Sequence, residues 1–141
     1  MSKRVQAYEL GELTVTFDPN RCIHSAACIR AQPDVFDSAA RPWIRLERGA
    51  PSDIVTAVHR CPTGALRAVL RGEPEEIPPD PVTLRASRNG PLVVRGEIRV
   101  ITENGEVIAE DRRVALCRCG QSRNMPFCDN SHRAAGFRDP I

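Results

Sequence analysis

The chain has 141 residues, twenty of them basic and eighteen acidic, with 4% aromatic residues and twelve prolines. The formal charge of +2 divides as about +2 over residues 1–70, −3 over 71–81 and +3 over 82–141, and no basic block or aromatic stripe interrupts it, which excludes an electrostatic nucleic-acid binder. No apolar run approaches the ~18 residues of a membrane span, and Met1-Ser-Lys-Arg is followed by no apolar core of a secretion signal, so we expect a cytoplasmic chain with no membrane contact and with reduced thiols rather than disulfides.

In chain order, Leu13-Thr-Val-Thr-Phe17 alternates apolar and polar residues and predicts a half-buried strand. Cys22 follows in a loop. Residues 25–31 suit a short helix stopped by Pro33, with Ser25 as its N-cap. Residues 42–46 predict a strand. Ser52-Asp53 opens a helix that carries Ile54, Val55 and Val58 on one side. Ile54, Val58 and Cys61 share a face at helical spacing, which delivers the Cys61 thiol inward. Pro62 ends that helix and residues 65–70 predict a strand.

Residues 71–81 hold four prolines and four acids, a composition that predicts an extended, semi-rigid spacer between halves 1–70 and 82–141. Halves of this size bury thin cores, for which a metal cluster can act as a staple. In the second half, residues 82–86, 92–94, 97–101, 107–109 and 113–116 predict strands, with Asn104-Gly105 as a hairpin signal. From Cys117 onward we expect loop and a short helix. The class is α+β.

Six cysteines organise the chemistry. Cys22 and Cys28 occupy the first and third positions of the ferredoxin run C-x₂-C-x₂-C, Ser25 stands at the middle one, and Cys61-Pro62 supplies the remote Cys-Pro. Three thiolates in this layout suit a 3Fe–4S cluster. A 4Fe–4S cluster needs one more ligand, for which His24 or Ser25 is the nearest candidate, although His24 is expected to act as a loop residue hydrogen-bonding near the cluster. The stretches Cys22-Ile-His-Ser-Ala-Ala-Cys28, Val35-Phe36, Arg41-Pro-Trp-Ile44 and Cys61-Pro-Thr-Gly-Ala-Leu66 resemble the divergent single-cluster 4Fe–4S ferredoxin-like domain over residues 5–70.

Near the C-terminus, Cys117, Cys119, Cys128 and His132 form a four-donor set for iron or zinc within sixteen positions. The Cys-x-Cys start and single His fit poorly with the paired spacing of structural zinc. Imidazole can replace thiolate on one iron of a 2Fe–2S cluster and raise its potential. The run C-x-C-x₂-S-x₃-P-x-C-D-x-S-H resembles the CDGSH, mitoNEET-like iron–sulfur family, through Cys117, Cys119, Ser122, Pro126, Phe127, Cys128, Asp129, Ser131 and His132. The resemblance covers residues 82–138 and implies a 2Fe–2S cluster on Cys117, Cys119, Cys128 and His132, and a homodimer through the β region. Asn130 stands where that family has Gly. Asn is the next residue best tolerated at positive φ, so the turn should survive. Asp129 and Ser131 are expected to hydrogen-bond the cluster loop.

No nucleophile–base constellation or phosphate loop is present, so no catalytic residue is assigned and an independent enzyme is not expected. The expectation is a two-cluster electron carrier working with a soluble oxidoreductase or reductase, with cluster storage, cluster transfer or redox and pH sensing as the alternative. Arg112, Arg113, Arg118 and Arg123 offer either a docking face for an acidic redox partner or an ordinary solvated surface.

Overall fold

The computed structural model describes residues 3–141. Met1 and Ser2, where the expected 1–70 segment begins, lie outside the described residues. Helices and strands both occur, as the α+β expectation requires. The chain divides into two compact units, one reaching to Cys61 and resuming over Ala65–Glu75, the other made of Pro62–Gly64 and Glu76–Ile141. No described helix is long and apolar enough to cross a membrane.

The first unit is a three-stranded antiparallel sheet with helical cover. Strands β1 (Gln6–Leu10) and β2 (Leu13–Phe17) form a hairpin across Gly11-Glu12. Gly11 has φ 59°, the geometry a two-residue loop with Gly first demands. Strand β3 (Leu66–Leu70) pairs with the other edge of β2, so β2 is central. Alternation puts Leu13 and Val15 of β2 inward, both buried. Helix α2 (Pro51–His59) covers them with Ile54, Ala57 and Val58. It starts with Pro51 in its first turn, where the missing N–H costs nothing.

Val35, Phe36, Ile44, Leu46, Ala65, Leu66 and Cys61 complete this core. A buried side chain of the Val, Leu, Ile or Phe kind contributes about 1.5–3 kcal/mol, so a unit this small rests on a handful of residues. Trp43 packs edge-on against Phe17 with ring centroids 4.9 Å apart.

Two expectations fail here. The strand over 42–46 is only a single bridge between Phe36 and Ile44, followed by a 3₁₀ turn at Leu46–Arg48. Pro42, without an N–H, cannot extend a ladder. Strand β1 was not anticipated, because it pairs on one side only and four of its five residues are exposed, leaving no burial alternation to read.

The second unit is a separate antiparallel sheet in the order β4 (Thr83–Ala86), β5 (Leu92–Ile101), β6 (Val107–Leu116). The predicted pairs of short strands are in fact two long ones. A register shift between Arg95 and Ile98 bends β5 where the sequence suggested a break. Gly96 allows the bend: its φ is 154°, and a Cβ there would lie 2.7 Å from a methyl of Val82. The β5–β6 loop is longer than the two-residue turn Asn104-Gly105 advertised. Gly105 alone has positive φ, its N–H reaches the Thr102 carbonyl, and Thr102 N–H reaches the Glu106 carbonyl, which is a three-residue loop with a bulge at Gly.

Val94, Val114 and Phe127 form the small core of this unit. Beneath them Arg113 is only 1% exposed. Its Nε donates to both carboxylate oxygens of Glu76, at 2.9 and 3.1 Å. The acid-rich stretch read as an extended, semi-rigid spacer is anchored at Glu76.

Candidate metal centres

Strand β6 runs directly into the C-terminal site. Cys117 is the residue after its last one, and the chain returns antiparallel, with Leu116 bridged to Phe127. Cys117 N–H bonds the Pro126 carbonyl at 2.8 Å, and Cys128 N–H bonds the Ala115 carbonyl at 2.8 Å. These two bonds hold Cys128 beside the Cys117–Cys119 turn. Cys128 begins the descent into helix α3 (Ser131–Ala134), which carries His132. Asn130 precedes that helix with φ 77° and ψ 4°, the left-handed conformation anticipated for the position.

The four donors fall into two close pairs. Cys117 Sγ lies 3.7 Å from Cys119 Sγ, and Cys128 Sγ lies 3.5 Å from His132 Nδ1. Backbone N–H groups point at the sulfurs: Gln121 at Cys119 and Asn130 at Cys128, each at 3.4 Å. Such donors stabilise the thiolate, the form that binds metal. Burial would raise the Cys117 thiol, but N–H groups of Ser122, Gly120 and Cys119 and the neighbouring Cys119 thiol outweigh it and lower its pKa. Cys128 is raised, mainly by burial and further by the charges of Cys117, Asp129 and Cys119, against the Asn130 N–H.

His132 is shifted down by burial and then by Arg133, against the pull of Asp129, so the neutral, donor-capable imidazole is favoured. Asp129 braces the loop as expected: its two oxygens accept from Arg123 N–H at 2.9 Å and Ser131 N–H at 3.0 Å. Burial would raise its carboxyl, but these bonds and the Ser131 hydroxyl hold it below the usual range. Ser122 Oγ donates to the Phe127 carbonyl and accepts from Asn124 N–H, closing the same loop from inside.

In the first unit, Cys22 and Cys28 bracket a loop in which His24 and Ala26 both adopt positive φ, 56° and 63°. Positive φ is uncommon for a non-glycine residue, above all for Ala, so this loop carries local backbone strain. Cys61, at the buried end of the α2 segment, packs in the same cluster as Cys22 and Cys28. The thiols are close enough to act on one another. Burial raises Cys28 to about 11, with Cys61 and then Cys22 adding to it. Cys22 is raised by burial and by Cys61, partly offset by His24 N–H.

His24 is exposed and brings its backbone N–H, not its ring, to Cys22 Sγ at 3.4 Å. Ser25 is not the N-cap of helix α1 (Ala27–Ala31). Ala26 holds that position, and the Ser25 hydroxyl instead accepts from Ala27 N–H at 3.4 Å. The reason is geometric: with Ala26 left-handed, the chain turns one residue later than a standard cap would require.

Among the described residues, no three His, Cys, Asp or Glu side chains gather on one point as a single-ion site requires. Tetrahedral zinc draws four donors onto one ion. A polynuclear cluster distributes its donors over several irons, and a two-iron cluster takes two for each. Three thiols and an imidazole in the second unit, and three thiols packed in one cluster in the first, are donor sets whose chemistry fits iron–sulfur clusters.

The arginines read as a possible docking face separate. Arg113 is buried on Glu76. Arg118, between Cys117 and Cys119, is turned inward onto Gly90, Ser87 and Asp139. Asp139 lies twenty-one positions from Arg118, and no local pattern could have found it.

Residues 8–71 match the family model described as "Divergent 4Fe-4S mono-cluster". Residues 89–133 match "Iron-binding zinc finger CDGSH type". The chain is similar to the uncharacterized protein YjdI of Escherichia coli (strain K12), with 29% identity over 62 residues, 44% of this chain and 82% of that protein. The protein of the same name from Escherichia coli O157:H7 matches to the same extent. One segment of the chain is thus similar to the divergent 4Fe-4S mono-cluster type and another to the CDGSH iron-binding type, and the two matches together point to a redox or cluster-binding protein.

Proposed function

We propose that this protein is an electron carrier with two iron–sulfur clusters. Cys117, Cys119, Cys128 and His132 would hold a 2Fe–2S cluster, and Cys22, Cys28 and Cys61 a 3Fe–4S or 4Fe–4S cluster. The observation that carries the reading is the arrangement of the C-terminal donors into two close pairs, with an N–H directed at a sulfur in each. When bound, the clusters supply one-electron chemistry, and the polypeptide sets potential and docking. The N–H groups of Gln121 and Asn130 lower the electron density on the thiolates they reach. Asp129 and Ser122 keep the loop from collapsing around the site. In the first unit the Cys61 thiol is buried and those of Cys22 and Cys28 are half-buried, which limits the approach of water.

A soluble reductase or oxidoreductase partner in the cytoplasm, and a homodimer through the β4–β6 sheet, belong to the same proposal. Low-temperature EPR with iron and acid-labile sulfide analysis tests it. Two distinct signals, one of them from a reduced 2Fe–2S centre, are expected. Iron and sulfide sufficient for one cluster only would refute it.

A second reading, cluster storage or transfer, or redox and pH sensing, draws on a different observation. Cys117, Cys119 and His132 are only half-buried, so an acceptor protein can reach them. Mixing with an apo-ferredoxin separates the two: movement of the cluster supports delivery, and rapid reduction without movement supports electron carriage.

A further inference from the structure

The residue between the first two donor cysteines does not face solvent. Arg118 Nε donates to the Gly90 carbonyl at 2.8 Å and its Nη2 to the Ser87 carbonyl at 2.6 Å. The same Nη2 pairs with Asp139, and the two side chains are only 19% and 4% exposed. The guanidinium also lies over the Phe137 ring, 5.4 Å from its centroid. Asp139 N–H in turn bonds Asn89 Oδ1 at 2.8 Å. The contacts to Gly90 and Ser87, and the Asp139 contact through Asn89, tie Arg118 to the turn between β4 and β5 over residues 87–91. That turn reaches the fourth donor: a Cβ built on Gly90 would sit 3.6 Å from His132 Nε2. One turn is thus fastened to the Cys117–Cys119 segment by Arg118 and laid against the outer nitrogen of His132.

We propose that Arg118 and Asp139 are positioning residues that clasp this turn over His132 and thereby slow loss of the second cluster. The inference rests on the proposed cluster ligation by His132. Iron leaves such a site by exchange of its ligand bonds, and the imidazole, as the neutral ligand among thiolates, is the bond most readily exchanged. Loss of the cluster would break the bonds to three thiolates and one imidazole; the iron would pass to the chelator, the bridging sulfides and the freed thiolates would take protons from water, and no electron would change hands. Water or chelator that approaches along the Nε2 edge of the ring meets the turn, while the rest of the half-buried ring stays open. Groups that orient a metal-bound His from outside typically change metal affinity by about 10–100-fold when removed.

The test is the decay of visible absorption of the purified holoprotein in excess ethylenediaminetetraacetate, for wild type, Asp139→Asn, Arg118→Lys and Gly90→Ala. Asp139→Asn and Arg118→Lys should lose the cluster about tenfold faster, the scale of such supporting contacts. Gly90→Ala should lose it more slowly, because the added methyl fits at contact distance, 3.4 Å from Ser87 Cβ and 3.6 Å from His132 Nε2, and covers the ring further. Far-UV melting of the same samples separates the clasp from simple destabilisation, which would speed loss in all three variants together. Equal rates in all four proteins, or acceleration in Gly90→Ala as well, overturns the clasp. A wild type with no 2Fe–2S spectrum overturns the underlying ligand assignment, and the clasp with it.

Discussion

Replacing Glu76 with Gln should destabilise the second unit and leave the first untouched. Arg113 is the most buried charge in the chain's described residues, its side chain 2% exposed, and Glu76 holds it through both carboxylate oxygens. Removing one partner of a fully sequestered pair costs about 3–5 kcal/mol, because a charge is left without compensation. The Glu76 side chain is 19% exposed, and Gln keeps a carbonyl oxygen to accept from Nε. Both facts reduce the loss to about 2 kcal/mol, within the range of hydrogen bonds to charged groups. For a unit of this size that lowers the thermal midpoint by roughly 8–16 °C.

The assay has an internal control. The chain has one Trp and one Tyr, and both Trp43 and Tyr8 belong to the first unit. Intrinsic fluorescence therefore follows that unit, while far-UV circular dichroism follows both. The expected outcome is a dichroism transition that falls in Glu76→Gln while the fluorescence transition stays in place. A buried pair is little screened, so the loss should persist in high salt. An unmoved dichroism transition, or a loss that vanishes in high salt, refutes the reasoning.

Lowering pH should bleach the second cluster. Imidazole binds metal only when neutral, and burial and then Arg133 hold the His132 pKa below the usual imidazole range, so visible absorption should hold near neutral pH and decline only as pH falls toward about 5.5 and below. His132→Cys should abolish that decline and lower the reduction potential, and an unchanged potential would count against ligation by His132. Ser25→Cys completes the C-x₂-C-x₂-C run and should give a first cluster that is EPR-active only after reduction; an oxidised 3Fe–4S signal that persists would show that position 25 does not face the cluster. Asn130→Gly should be tolerated, since Asn130 Oδ1 has no hydrogen-bond partner among the described residues, whereas Asn130→Val forces a branched residue to φ 77° and should cost about 1–2 kcal/mol in denaturant titrations. Equal stability of the two variants would contradict the left-handed turn.

Local chemistry was legible wherever neighbouring residues carry it. The residues Cys117, Cys119, Cys128 and His132 lie within one short stretch of loop and the helix α3 that follows it, so their types and spacing could be read directly. The positive φ at Asn130 followed from steric rules that depend on one residue's own Cβ. Helix α2 was legible because Ile54 and Val58 recur at its period. Strand β1 was not, since an exposed edge strand is made by hydrogen bonds to β2 rather than by burial of its own side chains. The continuity of β5 through Gly96 was hidden for a related reason: a bulge is permitted by what packs on it, here Val82.

The chain order of residues therefore determined the chemistry on offer: three thiols in one half, three thiols and an imidazole in the other, and the hydrophobic periods that bury the first set. Only the tertiary structure decided how that chemistry is held. Arg113 and Arg118 read as surface cations, yet one is buried on Glu76, thirty-seven positions away, and the other binds Ser87, Gly90 and Asp139. Partners so distant in sequence leave no local pattern, because the contact exists only after the sheet has brought them together and excluded the water that would otherwise solvate the charge.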